Sequence, residues 1–216
     1  MALNKIFSNA PSFGANDWVG RFRSGAQING RPVALQQWRL TTGDPAVADA
    51  VAGLLGGTPG EWVTTSDEGI EVMTTSESLT VQLTSLESNF LLWGRGNQPI
   101  RACDGARQND DAGTPCVCPP DIREHKEGAR AGSACQPNIR AVFRLADLPD
   151  LGLFRFNSSS WQLAADANGL EAALAENGGE SPATLTLTLV EYQTKTGKQV
   201  SFTRPVITLL TPAVAA

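Results

Sequence analysis

Cys103, Cys116, Cys118 and Cys135 are the side chains of this sequence best suited to chemistry, and all four fall within 33 of its 216 residues. Their spacing is C-x12-C-x-C-x16-C. Thiolates are soft, charged donors, and four of them complete a tetrahedral zinc site with Zn–S bonds of about 2.3 Å. One ion would cross-link a polar loop and make its binding energy a folding energy. The C-x2-C knuckle of common zinc fingers is absent; instead Cys116-Val117-Cys118 sets two thiols one residue apart, and Pro119 and Pro120 stiffen the exit. Free buried thiols and disulfides, with three possible pairings, are the alternatives. The opening MALNKIFSNAPSFG has no apolar signal core, which predicts a reducing cytoplasm and favours zinc over both. Four thiolates leave no position for a substrate water, so the expected zinc is structural.

Other chemistry is sparse. His125 is the only histidine. It has the donor atoms to replace a cysteine as a ligand, but the surrounding run DIREHKEGAR, helical in composition, predicts a surface side chain. A Ser–His–Asp or Cys–His site would need this one imidazole as its base. There is no G-x-S-x-G elbow and no P-loop. WGRGNQP, at 93–99, lacks the rest of a phosphate-binding fingerprint and reads as a strand-end turn. Asp110-Asp111 and the Glu61, Asp67 and Glu68 group have no partner histidines for a metal-dependent nuclease. The expectation is a protein that is not an enzyme.

Hydrophobic residues make up 41% and charged residues 18%, ordinary for a globular chain. No stretch approaches the roughly 20 apolar residues of a membrane span. The formal net charge of −5 argues against a protein that coats DNA. The charge is uneven. Lys5, Arg21, Arg23, Arg31 and Arg39 face only Asp17 within residues 1–40, whereas residues 41–100 hold eight acids and only Arg95.

The elements that must position the cysteines are read from pattern. Residues 1–17 read as a loose lead-in. Asp44-Pro45 before AVADAVAGLLGG predicts a short helix capped by Asp44 and stopped at Gly56-Gly57. EWVTT, IEVMTT, SLTVQLTSL and NFLLWG predict successive antiparallel strands. RAVFRLA and LGLFRFN add two more. SSSWQLAADANGLEAALAEN predicts a helix capped near Ser159, with a possible break at Asn168-Gly169. TLTLTLVEYQ and QVSFTRPVITLL predict a long hairpin across TKTGK, with Pro205 marking an edge strand or a bulge. TPAVAA should fray. The sum is a single α+β domain over 1–216, mainly antiparallel sheet with two or so helices, and a Cys-rich, zinc-stabilised insertion at 94–138.

GRFRSGAQINGRPVALQQWRLTTGD, the following helix and GGTPGEW, then CDG…PCVCPPD…GSACQPNIRAVFRLADLPDLGLFRFNSSSWQLAA, resemble the recombination directionality factors of large serine integrases in actinophage-type phages. The resemblance spans roughly 18–210. Its most specific part is the cysteine block followed by P-x-x-R-x-x-x-x-L and D-L-G-x-(F/W)-R. It implies a partner, a large serine integrase, whose coiled-coil region the factor re-aims. Excision by attL × attR then replaces attP × attB integration, and the factor cleaves no DNA and meets DNA only through the integrase complex. Candidate partner-binding residues are Arg123, Lys126 and Arg130 beside the cysteines, and Arg21 and Arg23 near the start. A second reading, a zinc-stabilised nucleic-acid-binding phage protein, would use the N-terminal arginines with Trp18, Phe22 and Trp38. Phe22 and Trp38 also fit as core residues of strands.

Overall fold

The computed structural model describes residues 18–28, 30–64, 66–110, 112–194 and 196–210. The lead-in over 1–17 and the tail over 211–216 lie outside them. The chain divides into two compact units. The first comprises 1–85, 141–156 and 174–216; the second comprises 86–140 and 157–173. The second unit thus holds all of 94–138 and adds flanking residues on both sides. The fold is the expected mainly antiparallel sheet, with three α-helices among the described residues. None of them is long and apolar enough to cross a membrane.

The first unit opens with β1 (Gly20–Ile28) and β2 (Arg31–Thr42), which pair antiparallel with Ile28 opposite Arg31. Gly30, just before β2, has φ +74°, a backbone conformation that glycine adopts without strain. Next comes α1 (Pro45–Leu55), whose N-cap Asp44 accepts a hydrogen bond from the Ala46 N–H at 2.8 Å. Val47, Ala48 and Val51 form its buried face. The helix stops as expected: Gly57 has φ +92°, and a Cβ there would lie 2.2 Å from the Met73 carbonyl oxygen.

β3 (Pro59–Glu61), β4 (Ile70–Met73), β5 (Ser78–Trp93), β7 (Gln136–Leu145), β8 (Phe154–Ser158), β9 (Ser181–Gln193) and β10 (Gln199–Leu209) complete the main sheet, and β6 (Pro99–Cys103) pairs with the end of β5. The sheet order is β10-β9-β5-β7-β8-β1-β2-β4-β3. The pairing of β1 with β8 is parallel. β9 and β10 form the long hairpin, and Pro205 lies on the edge strand β10, where no ladder needs its missing N–H. Trp38 anchors this unit's core. It is fully buried, meets Phe22 and Phe156 edge-on at 6.3 and 5.0 Å, and donates its indole N–H to the Leu185 carbonyl of β9 at 3.2 Å. Aromatic pairs of this geometry add about 0.5–1.5 kcal/mol each beyond their burial.

The uneven charge of the sequence is resolved by pairing inside this unit. Arg21 and Arg23 both reach Glu68, at 3.2 and 2.9 Å, and Arg39 binds Glu71. The Arg23 and Arg39 guanidiniums lie over the Trp62 ring, 5.0 and 4.7 Å from its centroid. Three arginines of the basic segment are thus offset by two carboxylates of the acidic segment after it.

Three expected boundaries differ. The strand expected over EWVTT stops at Glu61, because the Trp62 N–H turns to the Gly69 carbonyl and Val63 is 91% exposed. SLTVQLTSL and NFLLWG are one strand, β5. The polar residues between them do not break it because they are satisfied across strands: Asn89 Oδ1 accepts from Asn138 Nδ2 at 2.8 Å, and Glu87 pairs with Arg140. α3 (Trp161–Glu176) runs unbroken through Asn168-Gly169. An interior glycine costs a helix about 1 kcal/mol, and buried Leu163 and Ala167 before it and Leu174 after it offset that cost. Its cap is Ser160, whose Oγ accepts from the Leu163 N–H.

On α3, burial raises the Glu171 carboxyl above the usual carboxylate range, partly opposed by hydrogen bonds from Ser88. A folded carboxyl that holds its proton more tightly than the unfolded one favours folding below the ordinary carboxylate pKa. That contribution is lost as pH rises through its raised value. Glu171→Gln should therefore raise the melting temperature near pH 7, and the gain should vanish near pH 4. An equal shift at both pH values would rule out the charge as the cause.

Candidate metal centre

The cysteine segment has almost no apolar core of its own, and local polar contacts shape it first. β6 delivers Cys103. The Asp104 carboxylate then accepts from the Arg107 N–H at 2.6 Å and the Ala106 N–H at 2.8 Å, bonds that hold it below the usual carboxylate range. This turn folds the chain back so that Gln108 N–H bonds the Thr114 carbonyl and Cys116 N–H bonds the Ala106 carbonyl. Asp110 closes the far end through the Thr114 hydroxyl and N–H, at 2.6 and 2.9 Å. Cys116 thereby returns beside Cys103.

The next turn brings Cys118. Its N–H points at Cys116 Sγ at 3.4 Å. After Pro119-Pro120, Asp121 caps α2 (Ile122–Arg130) by accepting from the Arg123 and Glu124 N–H groups. The helix ends at a turn through Gly132, at φ +73°, and the chain re-enters the cluster at Cys135. The Cys135 N–H donates to Cys118 Sγ at 3.3 Å.

The sulfurs of Cys103, Cys116 and Cys118 lie within 4.8 Å of one another. A tetrahedral tetrathiolate with 2.3 Å bonds has S···S edges of about 3.8 Å, so the triad is close enough together to share one ion. Cys135 lies outside the 4.8 Å triad, but its thiol interacts with those of Cys118 and Cys103. Cys103 and Cys135 are buried, Cys116 and Cys118 half-buried, and all four are free thiols. Burial pushes the Cys103 and Cys135 thiols up. Burial works on Cys118 in the same sense, but the Cys135 N–H, the neighbouring thiols and the Arg101 guanidinium outweigh it and lower its pKa.

His125 is not the surface residue that its charged neighbours suggest. It is buried, packed between Phe90 and Trp161 with ring centroids 5.5 and 5.0 Å away. Its Nε2 lies 2.8 Å from the Cys135 carbonyl oxygen. A carbonyl only accepts, so Nε2 carries the proton. The imidazole therefore positions the backbone of Cys135 and does not join the thiol cluster as a ligand. Arg101 is the second residue missed in the sequence: Nε lies 3.4 Å from Cys135 Sγ, and Nη2 lies 3.5 Å from Cys118 Sγ and 3.0 Å from the Ser133 carbonyl.

The candidate partner-binding residues fall into two groups. On α2, Arg123 and Arg130 are exposed, and Lys126 is half-buried with Nζ 5.6 Å from the Trp161 ring centroid. Arg21 and Arg23, in the first unit, are held by Glu68. The aromatic residues of the nucleic-acid reading are not a stacking surface. Phe22 and Trp38 are core, and Trp18 lies under the Arg155 guanidinium at 3.9 Å.

The family model described as Gp3-like, recombination directionality factor-like, matches residues 19–210. The chain belongs to this family. No solved structure matches the chain. Within the matched span, His125→Ala removes a buried ring and leaves the Cys135 carbonyl without its donor. It should cost about 1–3 kcal/mol in chemical denaturation. A loss under about 0.5 kcal/mol, the range of ordinary surface substitutions, would show that the imidazole does not pin this backbone.

Proposed function

We propose that this chain is a recombination directionality factor that binds a large serine integrase and switches it from attP × attB integration to attL × attR excision. The observation that carries this reading is the family match, which covers nearly the whole described chain. The factor works by binding energy and cleaves no DNA itself. It prefers one arrangement of the integrase, with the coiled-coil region as the element it re-aims. A ligand shifts an equilibrium only by its differential affinity for the two states. A 100-fold shift needs about 2.7 kcal/mol, within reach of an interface with a few aromatic or arginine anchors. Arg123 and Arg130, exposed on α2, are better placed as such anchors than Arg21 and Arg23, whose guanidiniums are engaged by Glu68. The setting is the cytoplasm of the bacterial host during prophage excision.

A structural zinc ion belongs to the same proposal, held by Cys103, Cys116, Cys118 and Cys135. The clustering of three sulfurs with the fourth cysteine against them supports it. When bound, zinc supplies a cross-link between segments that share little apolar surface. The protein's own residues do the rest: Asp104 and Asp110 fold the loop, Asp121 starts α2, and His125 fixes the Cys135 backbone.

Two measurements test these readings. Purified protein, its cognate integrase and attL and attR DNA should give recombinant product only when the protein is present, and attP × attB recombination should fall. No attL × attR product from an integrase active on attP × attB would overturn the switching role. Separately, Cys118→Ser should lose bound zinc and lower the melting temperature. Unchanged zinc content with an unchanged melting temperature would overturn the metal centre.

A further inference from the structure

Arg101 on β6 directs its side chain to two of the cysteines and to a backbone carbonyl. It follows Ile100 on β6, two residues before Cys103. Its guanidinium pairs with no carboxylate among the described residues. Nε approaches Cys135 Sγ at 3.4 Å, and Nη2 is shared between Cys118 Sγ at 3.5 Å and the Ser133 carbonyl at 3.0 Å. The planar fork thus touches the two cysteines that flank α2 in sequence, together with the turn that leads into the second of them. Two backbone N–H···S contacts, Cys118 to Cys116 and Cys135 to Cys118, act on the same group of sulfurs.

We propose that Arg101 is the outer clasp of the thiolate metal centre, binding the Cys118 and Cys135 sulfurs and the Ser133 carbonyl at once. The proposal rests on the zinc reading above. Four thiolates around one divalent cation carry a net charge of −2, and such a group needs donors to offset it when half-buried. One guanidinium removes half of that charge and fixes the direction from which Cys118 and Cys135 meet the ion. The carbonyl contact ties the clasp to the end of α2, so metal geometry and helix position are set together. Lysine would keep the charge but not the planar fork that spans all three acceptors. Partners of this outer kind, when removed, typically cost 10–100-fold in metal affinity.

The test uses the full chain and its Arg101→Met and Arg101→Lys variants, each titrated with cobalt(II) and then displaced with zinc(II) against a chromophoric chelator. The wild-type chain should take up one ion per chain with a thiolate-to-cobalt charge-transfer band. Arg101→Met should bind 10–100-fold more weakly and shift that band to longer wavelength, because the sulfurs become more electron-rich. Arg101→Lys should fall between the two on both readouts. Wild-type affinity in Arg101→Met overturns the clasp and leaves the metal centre standing. Weaker binding with an unmoved band also overturns it, since that pattern belongs to a packing residue. If the wild-type chain binds no metal, the metal centre falls and the clasp falls with it.

Discussion

Bringing four thiols to one place is the constraint around which the second unit is built. Residues 94–138 are rich in Gly, Pro, Asp and Arg, and side-chain burial there is too small to offset the conformational entropy of ordering the loop. The structure meets this in two stages. Short-range polar contacts come first: the bonds to Asp104, Asp110 and Asp121 each act over no more than four positions along the chain. Those local pieces then converge on the sulfurs, where Cys103, Cys116 and Cys118 close to within 4.8 Å. Aromatic packing of Phe90, His125 and Trp161 covers α2 from one side, and Arg101 reaches the sulfurs from β6.

The first unit solves the opposite problem. It has a large aromatic and aliphatic core around Trp38, and its difficulty is charge. Arginines concentrated on β1 and β2 would repel one another if left alone. Glu68 and Glu71, delivered by the segment after β3, pair with them, and Trp62 offers its ring face to two of the guanidiniums. Arg39 is almost fully buried yet satisfied in this way. A surface patch that looks basic in a linear tally is a mixed and largely neutral cluster in space.

What was legible in the sequence follows from the range of the interactions involved. Asp44-Pro45 and Gly56-Gly57 bracket α1 because capping acts within one helical turn. The β9–β10 hairpin and the edge position of Pro205 were readable for the same reason. The cysteine cluster was legible from residue type and density alone. His125, Arg101 and the continuity of β5 were not, because each depends on a partner far along the chain. His125 is buried by Phe90 and Trp161, Arg101 is oriented by Cys118, Ser133 and Cys135, and Asn89 stays within a strand because Asn138 faces it. The β1–β2 pair differs in kind: its residues sit in a stretch with little alternation.

The way the chain is apportioned has a consequence for how relatives of this protein can diverge. The backbone passes from one compact unit to the other at 85–86, 140–141, 156–157 and 173–174. β5 and β7 each contribute residues to both units, and α3 does the same at its end. No single excision lifts out the thiol-bearing unit with both of its pieces and nothing else. A swap limited to 94–138 leaves behind Phe90 and Trp161, which pack against His125. Exchange of this unit between family members as one cassette is therefore hard. Point substitution at exposed positions, Arg123 and Arg130 of α2 among them, leaves the frame that carries them intact.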